Sequence, residues 1–126
     1  MKTIIQTSEA PNPIGPYSQA VKSGNMLYLS GQIAINPDTG LLNNTNLESE
    51  THQVMKNIGA ILKAANINYK HIVKTSIFLK DMDDFKSVNE IYGSYFDSDF
   101  PARETVQVAK LPLDVRVEIS VIAAIA

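Results

Sequence analysis

An arginine in the last quarter of the chain has the setting of an anion-binding group. Arginine is scarce here: the 126 residues include only Arg103 and Arg116, and Arg103 directly follows Phe100-Pro101-Ala102. A planar guanidinium presents a fork of donors that fits a carboxylate, which the point charge of a lysine does not imitate. Spacing alone leaves two interpretations open, an anion receptor or an ordinary surface arginine at a strand end.

Glu118 interrupts an otherwise apolar strand sequence, Val117-Glu118-Ile119. A carboxylate there must be paired, hydrogen-bonded or placed to hold a water, since burying it bare costs free energy. A positioned carboxylate that holds a water can act as a general base. The alternatives are an outward, solvated glutamate and a salt bridge between subunits, and the sequence does not decide among them.

Asn89 and the pair Ser30-Gly31 are weaker candidates. Asn89 stands on the apolar stripe of a predicted helix, four residues after Phe85 and three before Tyr92. A polar amide there must find partners, so it either caps a sheet edge or reaches a ligand. Gly31 ends a predicted strand, where a glycine lets a ligand or another backbone come close. Ser30 lacks the G-x-S-x-G context of a hydrolase nucleophile, so we do not expect a serine hydrolase.

Composition argues against several other kinds of site. The chain has no cysteine, which removes disulfides, thiolate metal sites and thiol nucleophiles. Its two histidines, His52 and His71, are nineteen residues apart, so we expect no metal site built on imidazole. The six glycines form no dinucleotide-binding or phosphate-binding loop motif. The net charge is −2 and there is no basic stripe, so we expect no nucleic-acid binding.

Length and hydropathy predict one domain over residues 1–126. The mass is 13.8 kDa, and 44% hydrophobic and 19% charged residues are typical of a globular chain. No stretch approaches the ~18 consecutive apolar residues that span a bilayer, and the N-terminal residues lack the apolar segment of a signal peptide. We therefore expect a soluble, cytoplasmic protein without a membrane partner.

The elements that must position these residues follow the order β-β-β-α-β-α-β-β. Gly24-Asn25 predicts a hairpin turn, and the proline-rich stretch 10–17 predicts a stiff loop that ends at Tyr17. A capping box at Thr45-x-x-Glu48 predicts the start of the first helix. Strands are predicted at residues 2–6, 18–23, 26–31, 72–80, 103–110 and 115–125, and helices from Thr45 to Asn66 and from Asp83 to Phe96.

Two β-α-β crossovers in one mixed sheet predict an α+β domain with both helices on one face.

In the last strand, the odd-numbered residues from Val115 to Ile125 are apolar, whereas the even-numbered ones begin with Arg116 and Glu118 and end with Ile122 and Ala124. Because two helices cover only one face, the half-apolar second face needs another cover. We expect a homo-oligomer packed sheet to sheet, the alternative being a monomer with a mildly apolar face.

Blocks along essentially the whole chain resemble the RidA/YjgF family, the reactive intermediate (enamine/imine) deaminases. The most specific block runs from Pro101-Ala102-Arg103 to Val117-Glu118-Ile119, since it fixes an arginine and a glutamate fifteen residues apart on two strands. The other matching blocks are Ala10-Pro11, Ile14 to Gln19, Gly24 to Met26, Ser30 to Ile33, Asn36-Pro37 with Thr39-Gly40, Val73 to Met82, and Val88-Asn89 with Tyr92.

The resemblance implies a chorismate-mutase-like fold and a homotrimer. In the family, three sheets close into a central barrel and ligand clefts lie between subunits. It also implies 2-iminobutanoate/2-iminopropanoate deaminase activity, which needs no cofactor and no metal. Such enzymes hydrolyse the imines that pyridoxal-phosphate dehydratases release from threonine or serine, giving 2-oxo acids and ammonia, a form of metabolite damage control linked to isoleucine biosynthesis.

The resemblance also implies roles for individual residues. Arg103 would clamp the substrate carboxylate, Glu118 would hold and activate the attacking water, and the Gly31 carbonyl would accept the imine N–H. The remaining cleft residues that the family implies are Tyr17, Ser30, Asn89 and, through its backbone N–H, Thr105.

Two departures from the family pattern bear on the mechanism and the substrate. Many members carry a cysteine where this chain has Thr105, and a small residue where it has Glu104. No thiol can act here, and a Glu104 side chain inside the cleft would compete for Arg103. A non-catalytic regulatory trimer that binds a 2-oxo acid is therefore the alternative function, and an RNA-directed role sometimes attributed to relatives is a third.

Overall fold

The computed structural model describes residues 1–125, which form one mixed sheet with two α-helices on one face. The helices are α1 (Leu47–Ala64) and α2 (Phe85–Gly93). The strands, in chain order, are β1 (Lys2–Ile5), β2 (Ala20–Ser23), β3 (Met26–Leu29), β4 (Ile72–Leu79), β5 (Ala102–Gln107) and β6 (Val117–Ala124). This architecture confirms the predicted α+β class and the predicted order of elements.

The strands lie in the sheet in the order β1-β2-β3-β6-β4-β5. Every neighbouring pair is antiparallel except β4 and β5, which are joined through α2 as expected of a β-α-β crossover. The connection through α1 leads from β3 to β4, and β6 returns between them. Within residues 1–125, no helix is long and apolar enough to cross a membrane.

The hydrophobic core lies between the sheet and the two helices. Alternate residues of β6, including Val117, Ile119 and Val121, are buried there against α1 residues such as Ile58 and Leu62. Within the described residues, no helix covers the opposite face of the sheet, and Tyr28 on that face is 46% exposed. The half-apolar second face predicted from β6 is therefore present, and the homotrimer that would cover it stays a prediction.

The N-terminus of α1 corrects the predicted capping box at Thr45. The N-cap is Asn46, whose side-chain oxygen accepts a hydrogen bond from the Ser49 backbone N–H at 2.8 Å. Asparagine ranks above threonine as an N-cap, so the helix begins one residue later than the Thr45 pattern predicts. The predicted end is confirmed, since Asn66 has the left-handed conformation with φ of 62°.

The other predicted elements are longer than those observed. Residues 82–84 form a 3₁₀ turn before α2, because the Asp81 side chain accepts from the Asp83 N–H at 2.9 Å. β5 stops at Gln107, whose side chain accepts from the Met82 N–H at 2.8 Å. The first hydrogen bond is local, whereas the second joins segments 25 residues apart that only the tertiary fold brings together. Strand periodicity therefore could not indicate the end of β5.

Candidate active site

The pairing register places the two charged candidates on opposite faces of the sheet. Arg103 is the partner of Thr75 in the β4–β5 pair, and Thr75 is buried on the helix side. Glu118 is the partner of Phe78 in the β4–β6 pair. Thr75 and Phe78 are three positions apart on β4, and successive side chains alternate between faces. Arg103 therefore lies on the helix side and Glu118 on the uncovered side.

The uncovered face carries one half of the predicted site, the Glu118 cleft. This cavity has a volume of about 360 Å³ and is lined in part by Tyr17, Ser30, Gly31, Pro112 and Glu118. The hairpin β2–β3 supplies the strand end at Ser30-Gly31, and β6 supplies Glu118 beside it. Four of the seven predicted site residues thus lie together in one chain.

Residue 31 must be a glycine because the Glu118 side chain lies against its backbone. A Cβ atom added at residue 31 would overlap the Glu118 carboxylate, so the group that comes close to this glycine is a side chain of the same chain. The neighbouring Ser30 hydroxyl donates to the Ser18 carbonyl at 2.5 Å. That bond ties the strand end to the loop before β2 and gives Ser30 no base of the kind a nucleophile needs.

Gln19 holds the proline-rich loop over the Glu118 cleft, a role that the sequence analysis did not assign. Its buried amide accepts from the Thr7 N–H at 2.7 Å and donates to the Pro11 carbonyl at 2.9 Å. It also donates to the Thr7 carbonyl at 3.0 Å. The loop does not pair with a strand here, so this one side chain provides hydrogen-bond partners for its backbone N–H and carbonyl groups. The signal available in the sequence was a glutamine at the start of a strand directly after such a loop.

The Glu118 carboxylate is a half-buried acid with an altered proton affinity. Burial raises its pKa above the ordinary value, because the charged form loses hydration. None of the ion pairs within residues 1–125 includes Glu118, so no cation offsets this effect. A carboxylate with a raised pKa is a stronger base once it is ionised, which suits a group that takes a proton from water.

The helix side carries the other half, the Arg103 pocket. The Arg103 Nη1 donates to the Asn89 Oδ1 at 2.5 Å. Its Cζ lies 5.5 Å from the ring centroid of Phe85 and 5.4 Å from that of Tyr92. The adjoining cavity of about 420 Å³ is also lined by Phe100. No ion pair within residues 1–125 includes Arg103, so the guanidinium faces this cavity without a carboxylate partner.

Thr105 lies two residues after Arg103 on β5 and therefore shares its face. Its Oγ1 is buried and has no hydrogen-bond partner within residues 1–125. Thr105 and Asn89 thus join Arg103 on the helix side, which accounts for the other three predicted site residues. Among residues 1–125, no group of three or more histidine, aspartate and glutamate side chains is placed to hold a metal ion.

Glu104 points away from the Arg103 pocket. Its register partner is Ser76, whose hydroxyl donates to the Glu104 carboxylate, and the Lys74 Nζ lies 2.8 Å from the same carboxylate. The hydrogen bonds from Lys74 and then Ser76 lower the Glu104 pKa. These contacts hold the Glu104 side chain on the uncovered face. Glu104 therefore does not compete with a ligand for the Arg103 guanidinium of its own chain.

A single chain does not bring the two halves of the predicted site together. Tyr17, Ser30, Gly31 and Glu118 lie on one side of the sheet, and Asn89, Arg103 and Thr105 on the other. The sheet itself separates them, so a carboxylate held by Arg103 cannot reach Glu118 of the same chain.

Comparison with known proteins agrees with the fold and the family expectation. The profile of the family described as Endoribonuclease L-PSP matches residues 7–125. Human 2-iminobutanoate/2-iminopropanoate deaminase is 47% identical over 123 residues, which cover 98% of this chain and 90% of the human protein.

Two solved structures of bacterial proteins show the same architecture. The YyfA protein of Yersinia pestis, described as a member of the conserved Rid family, matches with a TM-score of 0.96 and 50% identity over 98% of this chain and 99% of its own. The TdcF protein of E. coli, solved with bound serine, matches with a TM-score of 0.94 and 39% identity over 98% and 99% of the two chains. The chain described above, with its sheet order and its two groups of site residues, belongs to the RidA/YjgF family.

Proposed function

We propose that this protein hydrolyses reactive 2-imino acids and their enamine tautomers to 2-oxo acids and ammonia. The expected substrates are 2-iminobutanoate and 2-iminopropanoate, the products of dehydratases acting on threonine and serine. The observation that carries the proposal is the Arg103 guanidinium, which faces a cavity and has no carboxylate partner within residues 1–125. Family membership and the deaminase name of the human relative support the same activity.

The complete site of this proposal forms between subunits of a homotrimer. Arg103 and Glu118 lie on opposite faces of the sheet, so one bound molecule meets both only where two chains adjoin. The uncovered face that carries Glu118 supports packing against a second copy, because it exposes apolar side chains such as Tyr28 and Val106. A subunit in this arrangement gives its Arg103 to one site and its Glu118 to another.

The chemistry follows from the two charged groups. Arg103 holds the substrate carboxylate by a charge-assisted hydrogen bond, worth roughly 1.5–3 kcal/mol net. Glu118 takes a proton from a water while the water oxygen attacks the imine carbon, and this proton passes to the imine nitrogen, which gives a carbinolamine. Glu118 then takes the proton of the carbinolamine hydroxyl and passes it to the nitrogen. The C–N bond breaks, ammonia leaves, and the carbonyl of the 2-oxo acid remains. The Gly31 carbonyl orients the imine N–H, and this chain's residues carry every step without a cofactor.

A coupled imine-hydrolysis assay tests the activity. A threonine dehydratase generates 2-iminobutanoate, semicarbazide traps it, and the protein competes with the trap. We expect the wild type to suppress the trapped product and Arg103→Ala not to, with the oligomer intact by light scattering. Lys56→Ala removes an exposed positive charge from α1 and should behave as the wild type. An active Arg103→Ala protein would contradict the proposal.

The second candidate is a regulatory trimer that binds a 2-oxo acid without turnover. The observation that favours it is the relative TdcF, which was solved with bound serine and so holds a small amino acid. Calorimetry with 2-oxobutanoate separates the two functions. Binding that depends on Arg103, together with no hydrolysis of any amino-acid-derived imine, would favour the regulatory function.

A further inference from the structure

The Arg103 guanidinium is held in place by few contacts, and one of them is an aromatic ring that is itself anchored. Its only hydrogen bond within residues 1–125 goes to the Asn89 amide oxygen. Two aromatic rings, those of Phe85 and Tyr92, lie within 5.5 Å of its Cζ, a distance at which a cation and a ring attract each other. The orientation of the guanidinium therefore depends on how firmly these neighbours are fixed.

Tyr92 is the firmly fixed neighbour. It is 3% exposed, and its hydroxyl donates to the Thr75 Oγ1 at 2.9 Å. Phe85 is 37% exposed and has no polar atom through which it could be anchored. Burial raises the pKa of Tyr92, although the hydrogen bond to Thr75 and the charge of Arg103 oppose the rise. The phenol thus stays a neutral donor across the physiological pH range.

The anchor closes a ring of contacts around Arg103. Thr75, which is 0% exposed, is also the register partner of Arg103 on the neighbouring strand. The contacts run from the Arg103 backbone to Thr75, from Thr75 to the Tyr92 hydroxyl, and from the Tyr92 ring back to the Arg103 guanidinium. A side chain fixed at both ends in this way loses little further freedom when it binds an anion.

We propose that Tyr92, anchored by Thr75, is a positioning residue that holds the Arg103 guanidinium in the orientation that receives the substrate carboxylate. This inference rests on the proposed function, because it assigns Tyr92 a part in the same site. Tyr92 acts through Arg103 and does not itself touch the substrate. Its expected contribution is to affinity, so it should affect Kd and KM more than kcat.

The first experiment measures the variant Tyr92→Phe, which keeps the ring and removes the anchor. Calorimetry with 2-oxobutanoate on the assembled protein should show a Kd about fivefold to tenfold higher than that of the wild type. The KM for 2-iminobutanoate should rise by a similar factor while kcat changes less than about twofold. The matched control is Tyr95→Phe, which also removes a tyrosine hydroxyl bond, in this case to the His52 Nδ1 at 2.7 Å. Tyr95 does not line the Arg103 pocket.

A second variant separates positioning from simple loss of stability. Tyr92→Phe leaves the buried Thr75 hydroxyl without its partner, which lowers Tm. Thr75→Val combined with Tyr92→Phe removes that unsatisfied group and should restore Tm. The Kd should stay raised in this double variant, because the ring is still not anchored. Recovery of the Kd together with Tm, or a wild-type Kd in Tyr92→Phe, would overturn the inference.

The outcome is distinguishable from failure of the proposed function. If the wild type neither binds 2-oxobutanoate nor hydrolyses the imine, the assignment of the site itself is wrong. If the wild type does both and the Tyr92 variants bind as tightly as Tyr95→Phe, only the positioning role is wrong.

Discussion

At the scale of single residues, the site depends on two charged groups in contrasting environments. Arg103 lacks a carboxylate partner within residues 1–125, whereas Glu118 has its pKa raised by burial. One group can bind an anion at any physiological pH, and the other is a base only when ionised. The protonation state of Glu118 therefore determines the expected pH dependence of the activity.

The raised pKa of Glu118 predicts an acid limb in the pH profile. A general base must be deprotonated, so kcat/KM should fall as the pH drops through the Glu118 pKa, at a higher pH than for an exposed glutamate. Glu118→Gln should lose about 10²–10⁴ in kcat and with it the acid limb. Steady-state kinetics across pH check this, with Glu104→Gln as the control that keeps the limb. An unchanged profile in Glu118→Gln would exclude Glu118 as the base.

Gly31→Ala should damage the site without unfolding the protein. The new Cβ overlaps the Glu118 carboxylate, so the side chain or the strand end must shift, and a misplaced base loses rate steeply. We expect a fall in kcat of at least about tenfold, with little change in the circular dichroism spectrum. Full activity in Gly31→Ala would show that the Glu118 carboxylate has room to work from another position.

At the scale of elements, the strand that carries Glu118 is tied to the start of α1. The Glu50 carboxylate is 0% exposed and accepts from the Arg116 backbone N–H at 2.7 Å and from its Nη1 at 2.9 Å. Arg116 directly precedes β6, so these bonds fix the strand two residues before Glu118. A second ion pair near the same end of β6 joins the Lys80 Nζ to the Asp114 Oδ2 at 3.0 Å, and both of its side chains are exposed.

The two pairs should differ in their effect on stability. Arg116→Ala leaves the buried Glu50 carboxylate with the backbone N–H alone, and we expect a loss of about 1–3 kcal/mol in the free energy of unfolding. Lys80→Ala breaks the exposed pair and should cost less than about 1 kcal/mol. Urea unfolding of both variants measures the difference. Equal losses would mean that burial of Glu50 does not matter to the pair.

At the scale of the whole molecule, the placement of the two groups on opposite faces predicts complementation between inactive subunits. Arg103→Ala keeps a good Glu118, and Glu118→Gln keeps a good Arg103. If each site takes one group from each of two adjacent chains, a trimer that contains both variants regains one intact site.

Refolding the two variants together at equal amounts should give about a quarter of the wild-type activity, since about three quarters of random trimers are mixed and each has one intact site in three. Each variant refolded alone is the control and should stay inactive. No recovery in mixed trimers, verified by differential tagging and purification, would contradict the shared site.

Much of the fold could be predicted because it is encoded in short stretches. The hairpin turn follows from Gly24, whose φ is 59°, and the end of α1 from Asn66 in the left-handed conformation. The buried face of β6 follows from strict alternation beginning at Val117. The N-cap at Asn46 was missed by one residue, because neighbouring polar side chains compete for the same backbone N–H groups. The C-terminal ends of β5 and α2 were each missed by three residues.

By itself, the sequence determined which residues could do the chemistry and which family blocks surround them, because side-chain type and local periodicity are properties of neighbouring positions. Only the tertiary structure decided how these residues are grouped. The separation of Arg103 from Glu118 depends on the registers of β5 and β6 against β4. The β4–β5 register also determines that the Glu104 side chain points toward Lys74. Such registers are set by contacts between distant segments, and a shift of one residue would reverse every face.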